Sequence, residues 1–376
     1  MTASTHNAVD NVLERFVKIN EEDQLLREEQ ILRVATDQSK VNQDLQHFTI
    51  DARIGGDMNQ NSRLVKQAQE RVERSVLVFT TCAGAGLGIL RKVDFDIAII
   101  DEASQITEPC ALIPLVKGIK RAMMVGDHVQ LRPTVKNMAK VVRFDISLLE
   151  RLYSQPDIPG MVKTMLDVQY RSPKELNAFP SKEFYEGRLK TSDERSTESL
   201  NALKESSFPW PIRDGFIIPT VFIQCSSEED MGDRSKSNEG QVDVVRHVLK
   251  LLTTPKNPQE EDKESEMKKV TVLSPYTKQI QALRRRLPPS ITSSTIDSFQ
   301  GRESDIIIFS TVRCNVDGDV GFLDDPRRLN VMWTRARLAL IIVGDRATLS
   351  SNQLWKRALE ACTEVVIVLE APTTAG

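Results

Sequence analysis

The residues best placed by type to do chemistry are an adjacent acidic pair. Asp101-Glu102-Ala103-Ser104 follows the run Asp96-Ile97-Ala98-Ile99-Ile100. A carboxylate at the tip of a buried strand can hold Mg²⁺, directly or through water, and a second beside it can polarise a nucleophilic water. Alone, such a pair more often marks a strand that simply ends in solvated acids. A second apolar run, however, ends in Gly126-Asp127-His128-Val129-Gln130-Leu131-Arg132-Pro133. There glycine permits a tight turn, and Gln130 can orient a water or touch a terminal phosphate. Further on come Gln169-Tyr170-Arg171, Asp297-Ser298-Phe299-Gln300-Gly301-Arg302-Glu303 and Leu329-Asn330-Val331-Met332-Trp333-Thr334-Arg335-Ala336-Arg337. An arginine supplied by a second domain can neutralise charge on a transferring phosphoryl group, an effect worth roughly 10³–10⁵ in rate. Each arginine by itself reads as a surface or salt-bridge residue. Their joint order with the acidic pair does not.

These groups need a rigid frame. Seven short, non-alternating apolar runs supply it: Val76 to Thr80, Phe95 to Ile100, Ala122 to Val125, Val221 to Gln224, Val270 to Leu273, Ile306 to Phe309 and Leu340 to Val343. Such runs read as strands buried on both faces, the mark of a helix-covered parallel sheet. Most end in a polar or small residue, where open α/β sheets bind ligands. The highly polar stretch Asn20 to Arg74 has helical spacing in Leu25, Leu26, Ile31, Leu32 and Val34, and is expected as a helical insertion. Thr191 to Ser207 is expected as a loop or an irregular excursion, and the charged run Thr253 to Lys269 as a solvated loop. Two sheets meeting near Ser154 to Gly160 fit a chain of 376 residues, with domains expected at 1–157 and 158–376.

Fifty Lys+Arg against fifty-three Asp+Glu leave a net charge of −3, so any nucleic-acid groove must be a local patch. Five scattered cysteines and four histidines argue against a disulfide scaffold or a zinc site. No apolar run approaches the ~20 residues that cross a bilayer, and the first residues carry no secretory signal. The expectation is an intracellular monomer, cytoplasmic or nuclear, with no membrane partner.

Taken in order, the blocks resemble those of superfamily 1B helicases, in the group containing the nonsense-mediated-decay helicase, the immunoglobulin mu-binding helicase and senataxin. Thr2-Ala3-Ser4-Thr5-His6-Asn7-Ala8-Val9-Asp10-Asn11 resembles motif Ia, and Thr81-Cys82-Ala83-Gly84-Ala85-Gly86 motif Ic. DEAS resembles motif II, GDHVQLRP motif III, QYR motif IV, SFQGRESD motif V and NVMWTRAR motif VI. The resemblance implies two RecA-like, doubly wound parallel sheets of the P-loop NTPase type, with ATP and Mg²⁺ between them and single-stranded RNA or DNA across their top. It implies that Asp101 serves Mg²⁺, Glu102 activates water, Gln130 senses the γ-phosphate, and Arg171 and Arg335 are arginine fingers. Gly301 and Glu303 would lie by the nucleotide, and Asn7, Thr81, Pro133, Pro275, Tyr276 and Arg313 along the nucleic-acid strand. Tyr276 reads equally as a core tyrosine.

The departures are informative. Motif VI has Met332-Trp333 where smaller aliphatics are usual, and motif IV reaches Pro173 one residue early. Nowhere does the chain carry GxxxxGK[ST], the loop whose N–H groups and lysine hold the β- and γ-phosphates. The first sheet is therefore expected to be incomplete at its N-terminus, and the chain to be the C-terminal piece of a larger ATP-dependent helicase, inactive alone. The competing expectation is a non-catalytic nucleic-acid-binding or scaffolding protein that keeps the fold.

Overall fold

The first sheet is built from β1 (Thr2–Ala3), β2 (Ile31–Arg33), β3 (Leu77–Thr81), β4 (Ile97–Ile100) and β5 (Arg121–Met124). Every pairing is parallel, in the order β2-β3-β1-β4-β5. The computed structural model describes residues 1–56, 62–195, 197–230, 232, 235–256 and 268–368. It divides into two units, Met1–Lys163 and Thr164–Gly376, so the division falls after Lys163 rather than after Asp157. Among the described residues, no helix is long and apolar enough to cross a membrane.

In the first unit, Thr5 caps the helix His6–Asp23, its Oγ1 accepting a hydrogen bond from Ala8 N at 3.2 Å. That helix turns Val9 and Leu13 onto Phe79, Phe48 and Ile31. It also buries Asp10, which accepts a 2.8 Å bond from Arg33 Nε and a 2.9 Å bond from Asn42 N. This network corrects the reading of 20–74 as a helical insertion. Helices Ile50–Ile54 and Ser62–Arg74 are there, but β2 runs through the stretch as an edge strand of the sheet. Its three residues include a buried arginine, so it has neither the length nor the apolar character of a strand signal.

The second unit holds a parallel pair, β6 (Val168–Gln169) with β7 (Lys190–Thr191), and an antiparallel hairpin, β8 (Ile212–Arg213) with β9 (Phe216–Ile217). Its main sheet comprises β10 (Thr220–Gln224), β11 (Val270–Ser274), β12 (Thr292–Thr295), β13 (Ser304–Ser310), β14 (Ala336–Gly344) and β15 (Thr363–Glu364). The order is β12-β11-β13-β14-β10-β15, again wholly parallel. Helices Glu239–Thr253 and Thr277–Arg286 press Val242, Val245, Ile280 and Leu283 onto one face, against Val272, Ile308 and Ile341. On the other face Phe309 meets Trp355, ring centroids 6.1 Å apart. The helices cover both faces of this sheet. Each unit is thus a RecA-like parallel sheet, as the resemblance implied.

All seven apolar runs are strands. The stretch Thr191 to Ser207 carries the 3₁₀ segment Thr197–Glu205, an irregular excursion that buries Leu200 and Leu203 in the second unit's core. Residues 257–267 of the charged run lie outside the described residues.

Candidate active site

In the first unit the acidic pair is set by its neighbours' backbone. Asp101 N donates to Thr2 O at 2.8 Å and Ala103 N to Val125 O at 2.8 Å, which ties the turn to β1 and to the end of β5. Glu102 adopts a left-handed conformation with φ +50°, uncommon for a non-glycine residue and costing on the order of 1–3 kcal/mol. Gly126 lets the next turn lie close: a Cβ there would sit 2.8 Å from Ser104 N and 3.0 Å from Ala103 N. Burial pushes the Asp101 carboxyl pKa up, and a hydrogen bond from the Glu102 backbone only partly offsets it. The Glu102 carboxylate accepts from Gln105 Nε2 at 2.6 Å.

Gln130 is held by a residue that sequence reasoning passed over. Asp127 accepts from Val129 N at 3.1 Å and from Gln130 Nε2 at 2.8 Å, closing the GDHVQ turn on itself. Arg132 donates through Nε to Glu150 at 2.8 Å and through Nη1 to Asp145 at 3.3 Å, and Pro133 is buried beside it. Thr81 stands opposite Ala3 in the register, its Oγ1 accepting from Gly84 N at 3.1 Å. Asn7 is exposed in the first turn of the helix that follows β1. Asn7 and Thr81 therefore share the carboxyl edge of adjacent strands.

In the second unit three distant segments converge. The Gln169 side chain accepts from Arg171 N at 2.8 Å and Ser172 N at 3.0 Å, and donates to Ser172 O at 2.6 Å and Thr191 Oγ1 at 2.8 Å. This fixes the short turn before Pro173. Arg171 then donates through Nε to Glu303 at 2.7 Å and through Nη1 to Thr334 O at 2.8 Å. Arg335 is buried and donates to Val331 O at 3.1 Å and Thr334 Oγ1 at 3.1 Å, with Arg302 O at 3.5 Å. Burial works against a charged Glu303, but Arg171, Arg337 and Arg335 outweigh it and hold its pKa below the usual value. Gly301 has φ +75°, the conformation that brings the motif V turn round to Glu303. The unusual Met332-Trp333 pair is buried behind Arg335, with Trp333 Nε1 donating to Leu176 O at 3.0 Å and its ring 4.3 Å from Phe179.

Pro275, Tyr276 and Arg313 lie at the ends of β11 and β13, and the last two are buried in this structure. Tyr276 is 3% exposed and Arg313 4%. Arg313 ion-pairs with Glu229 at 3.0 Å and Asp319 at 2.7 Å, and its Nη1 donates to Tyr276 Oη at 3.3 Å. The core reading of Tyr276 is the one its burial supports, and Arg313 is its hydrogen-bond partner.

Residues 144–347 match a family described as AAA domain, and residues 60–138 match a second family of the same description. The chain belongs to this AAA-domain family. It is 34% identical over 323 residues to the regulator of nonsense transcripts 1 homolog of Drosophila melanogaster, covering 82% of this chain and 26% of that protein. It is 36% identical over 312 residues to the ATP-dependent helicase NAM7 of Saccharomyces cerevisiae, covering 79% of this chain and 30% of that one. The chain thus spans between a quarter and a third of these relatives' length, and falls with superfamily 1 helicases of the nonsense-decay type. A solved structure of the PRRSV helicase overlaps 93% of this chain and 52% of its own at 15% identity, with a TM-score of 0.38.

In this AAA-domain member the donor set suits a magnesium ion held jointly with phosphates. Asp101 offers one desolvated carboxylate, and no cluster of three His, Cys, Asp or Glu able to cage a metal is found among the described residues. Mg²⁺ characteristically takes one or two carboxylates plus substrate oxygens. A nucleotide is suited less completely: the guanidinium groups of Arg171 and Arg335 are of a type that can meet phosphate charge, while GxxxxGK[ST] is not in the sequence. Arg337 was missed as a separate member. It lies 3.7 Å from Glu303 and 3.5 Å from Asp305. With Arg171, Arg195 and Lys268 it lines a cavity of about 330 Å³. The alternating arginines of TRAR could have signalled it.

Proposed function

We propose that the chain is the motor portion of an ATP-dependent helicase that hydrolyses ATP with Mg²⁺ and moves along single-stranded RNA or DNA. The observation that carries this is the convergence of Arg171, Glu303 and Thr334-Arg335 from three separate parts of the sequence. A surface salt bridge would not need a buried arginine beside it or a glutamine dedicated to its turn. Asp101 would hold Mg²⁺, which when bound would supply charge neutralisation for the phosphates; Glu102 would polarise the attacking water, and Arg171 and Arg335 would offset charge that develops on the transferred phosphoryl group. Arg171 is poised rather than free, because Glu303 orients it until an anionic phosphate competes for its guanidinium. Asn7 and Thr81 in the first unit and Pro275 in the second would contact the strand from the carboxyl edges of their sheets, whereas Pro133 is buried.

The missing phosphate loop makes slow turnover the expectation. The test is phosphate release under single-turnover conditions, with the chain in excess over ATP, with and without oligo-U or oligo-dT. Strand-stimulated release that Glu102→Gln abolishes is expected. Release that ignores both the strand and Glu102→Gln refutes the proposal.

A further inference from the structure

The ends of β11 and β13 carry an aromatic surface that none of these roles uses. Phe322, in the 3₁₀ turn Gly321–Asp324, is 53% exposed. Its ring centroid lies 5.5 Å from that of Tyr276, and Arg328 Cζ lies 5.5 Å from the Phe322 ring. A single exposed phenylalanine is ordinary. What sets this one apart is what is built beneath it.

Tyr276 is buried and takes its hydrogen bond from Arg313, whose guanidinium is clamped between Glu229 and Asp319. Asp319 also accepts from Gly321 N at 2.8 Å, fixing the start of the turn. Gly321 has φ +54°, and a Cβ there would fall 2.4 Å from Arg313 Nη1 and 2.7 Å from Tyr276 Oη. The turn is thus pressed onto the tyrosine–arginine pair as closely as backbone can be. The result is a half-exposed ring held against a buried network, with Arg328 over it, at the carboxyl edge of the central strands where such sheets bind ligands.

We propose that Phe322 is a base-stacking platform, whose exposed part takes an unpaired nucleobase of a single strand beside Arg328. The inference rests on the strand-binding part of the function proposed above. The local cations are already engaged: Arg328 by Asp297 at 3.2 Å, Arg313 by its two acids, and Lys278 by Asp230. The patch therefore offers a phosphate little, and a planar base a π-face. Stacking of this kind tolerates any sequence, because every base has such a face. Tyr276 and Arg313 are positioning residues, acting through Phe322.

The experiment measures binding of labelled oligo-U and oligo-dT to the 376-residue chain by anisotropy over a salt series. A parallel oligonucleotide carries a fluorescent purine whose emission is quenched by stacking. Phe322→Ala should weaken binding by roughly 5- to 150-fold, the range that one base–aromatic stack gives. It should relieve the quenching and leave the slope of affinity against salt unchanged, since no ion pair is lost. Phe322→Trp should keep affinity and quenching, and circular dichroism should show all variants folded. Unchanged affinity and quenching in Phe322→Ala overturn the inference alone, and so does a loss that Phe322→Trp fails to restore. No strand binding by the unaltered chain overturns the strand-binding reading, and the inference with it.

Discussion

Replacing Gly126 with alanine isolates the contact that brings the acidic turn and the GDHVQ turn together. Its φ is outside the left-handed region, so alanine can adopt the backbone conformation without strain. The obstacle is purely steric. The added methyl would lie 2.8 Å from Ser104 N, 3.0 Å from Ala103 N and 2.8 Å from Leu149 Cδ2. Leu149 can rotate away, but the two backbone nitrogens cannot move without breaking the 2.8 Å bond from Ala103 N to Val125 O. Overpacking of this kind costs about 1–3 kcal/mol, and backbone obstruction puts Gly126→Ala at the upper end. With a urea m-value of ~1–3 kcal/mol/M, the midpoint of the first unit falls by roughly 1 M. The three tryptophans, Trp210, Trp333 and Trp355, all lie in the second unit, so their fluorescence is an internal control. Circular dichroism should show an earlier loss of structure while the tryptophan transition stays in place. Gly301→Ala is the mirror case, with φ +75° and open space around it, so its strain is conformational and should move the tryptophan transition instead. A circular-dichroism profile for Gly126→Ala that superimposes on the unaltered chain would refute the steric reasoning.

Asp101→Asn should stabilise the chain near neutral pH. The raised folded-state pKa means that stability is fully present below the unfolded pKa and is lost as pH rises through the folded one, so thermal melts should show the gain shrinking in acid. Asp10→Asn breaks a buried pair with Arg33 and should cost about 3–5 kcal/mol in first-unit stability by urea titration; the double change Asp10→Leu with Arg33→Met should recover most of it. Arg335→Lys keeps the charge but loses the fork that reaches Val331 O and Thr334 Oγ1, so phosphate release should fall while oligonucleotide affinity by anisotropy holds.

What the sequence made legible follows from where the physical signal is concentrated. Central strands such as β13 and β14 are buried on both faces, so their composition alone announces them. Edge strands escape because their residues need not be apolar: β12 is Thr292-Ser293-Ser294-Thr295, and β2 ends in an arginine neutralised by Asp10. The same distinction governs the site. Asp101, Glu102 and Arg335 sit at the ends of legible strands or on the turns that lead to them, Arg171 follows the two-residue strand β6, and their order could be matched. Asp127 and Arg337 were overlooked because each matters through a partner, Gln130 or Glu303, that proximity in sequence does not single out. Tyr276 and Phe322 make the sharper case. Both are aromatic, both stand near the end of β11, and composition cannot say which is exposed. That is decided by Gly321, whose missing side chain lets the turn close over Tyr276 and push Phe322 outward. A glycine 45 positions beyond Tyr276, from Tyr276 to Gly321, thus determines which ring meets solvent. Residue type places a group on the carboxyl edge of a sheet, but only packing decides whether it faces a ligand or supports the group that does.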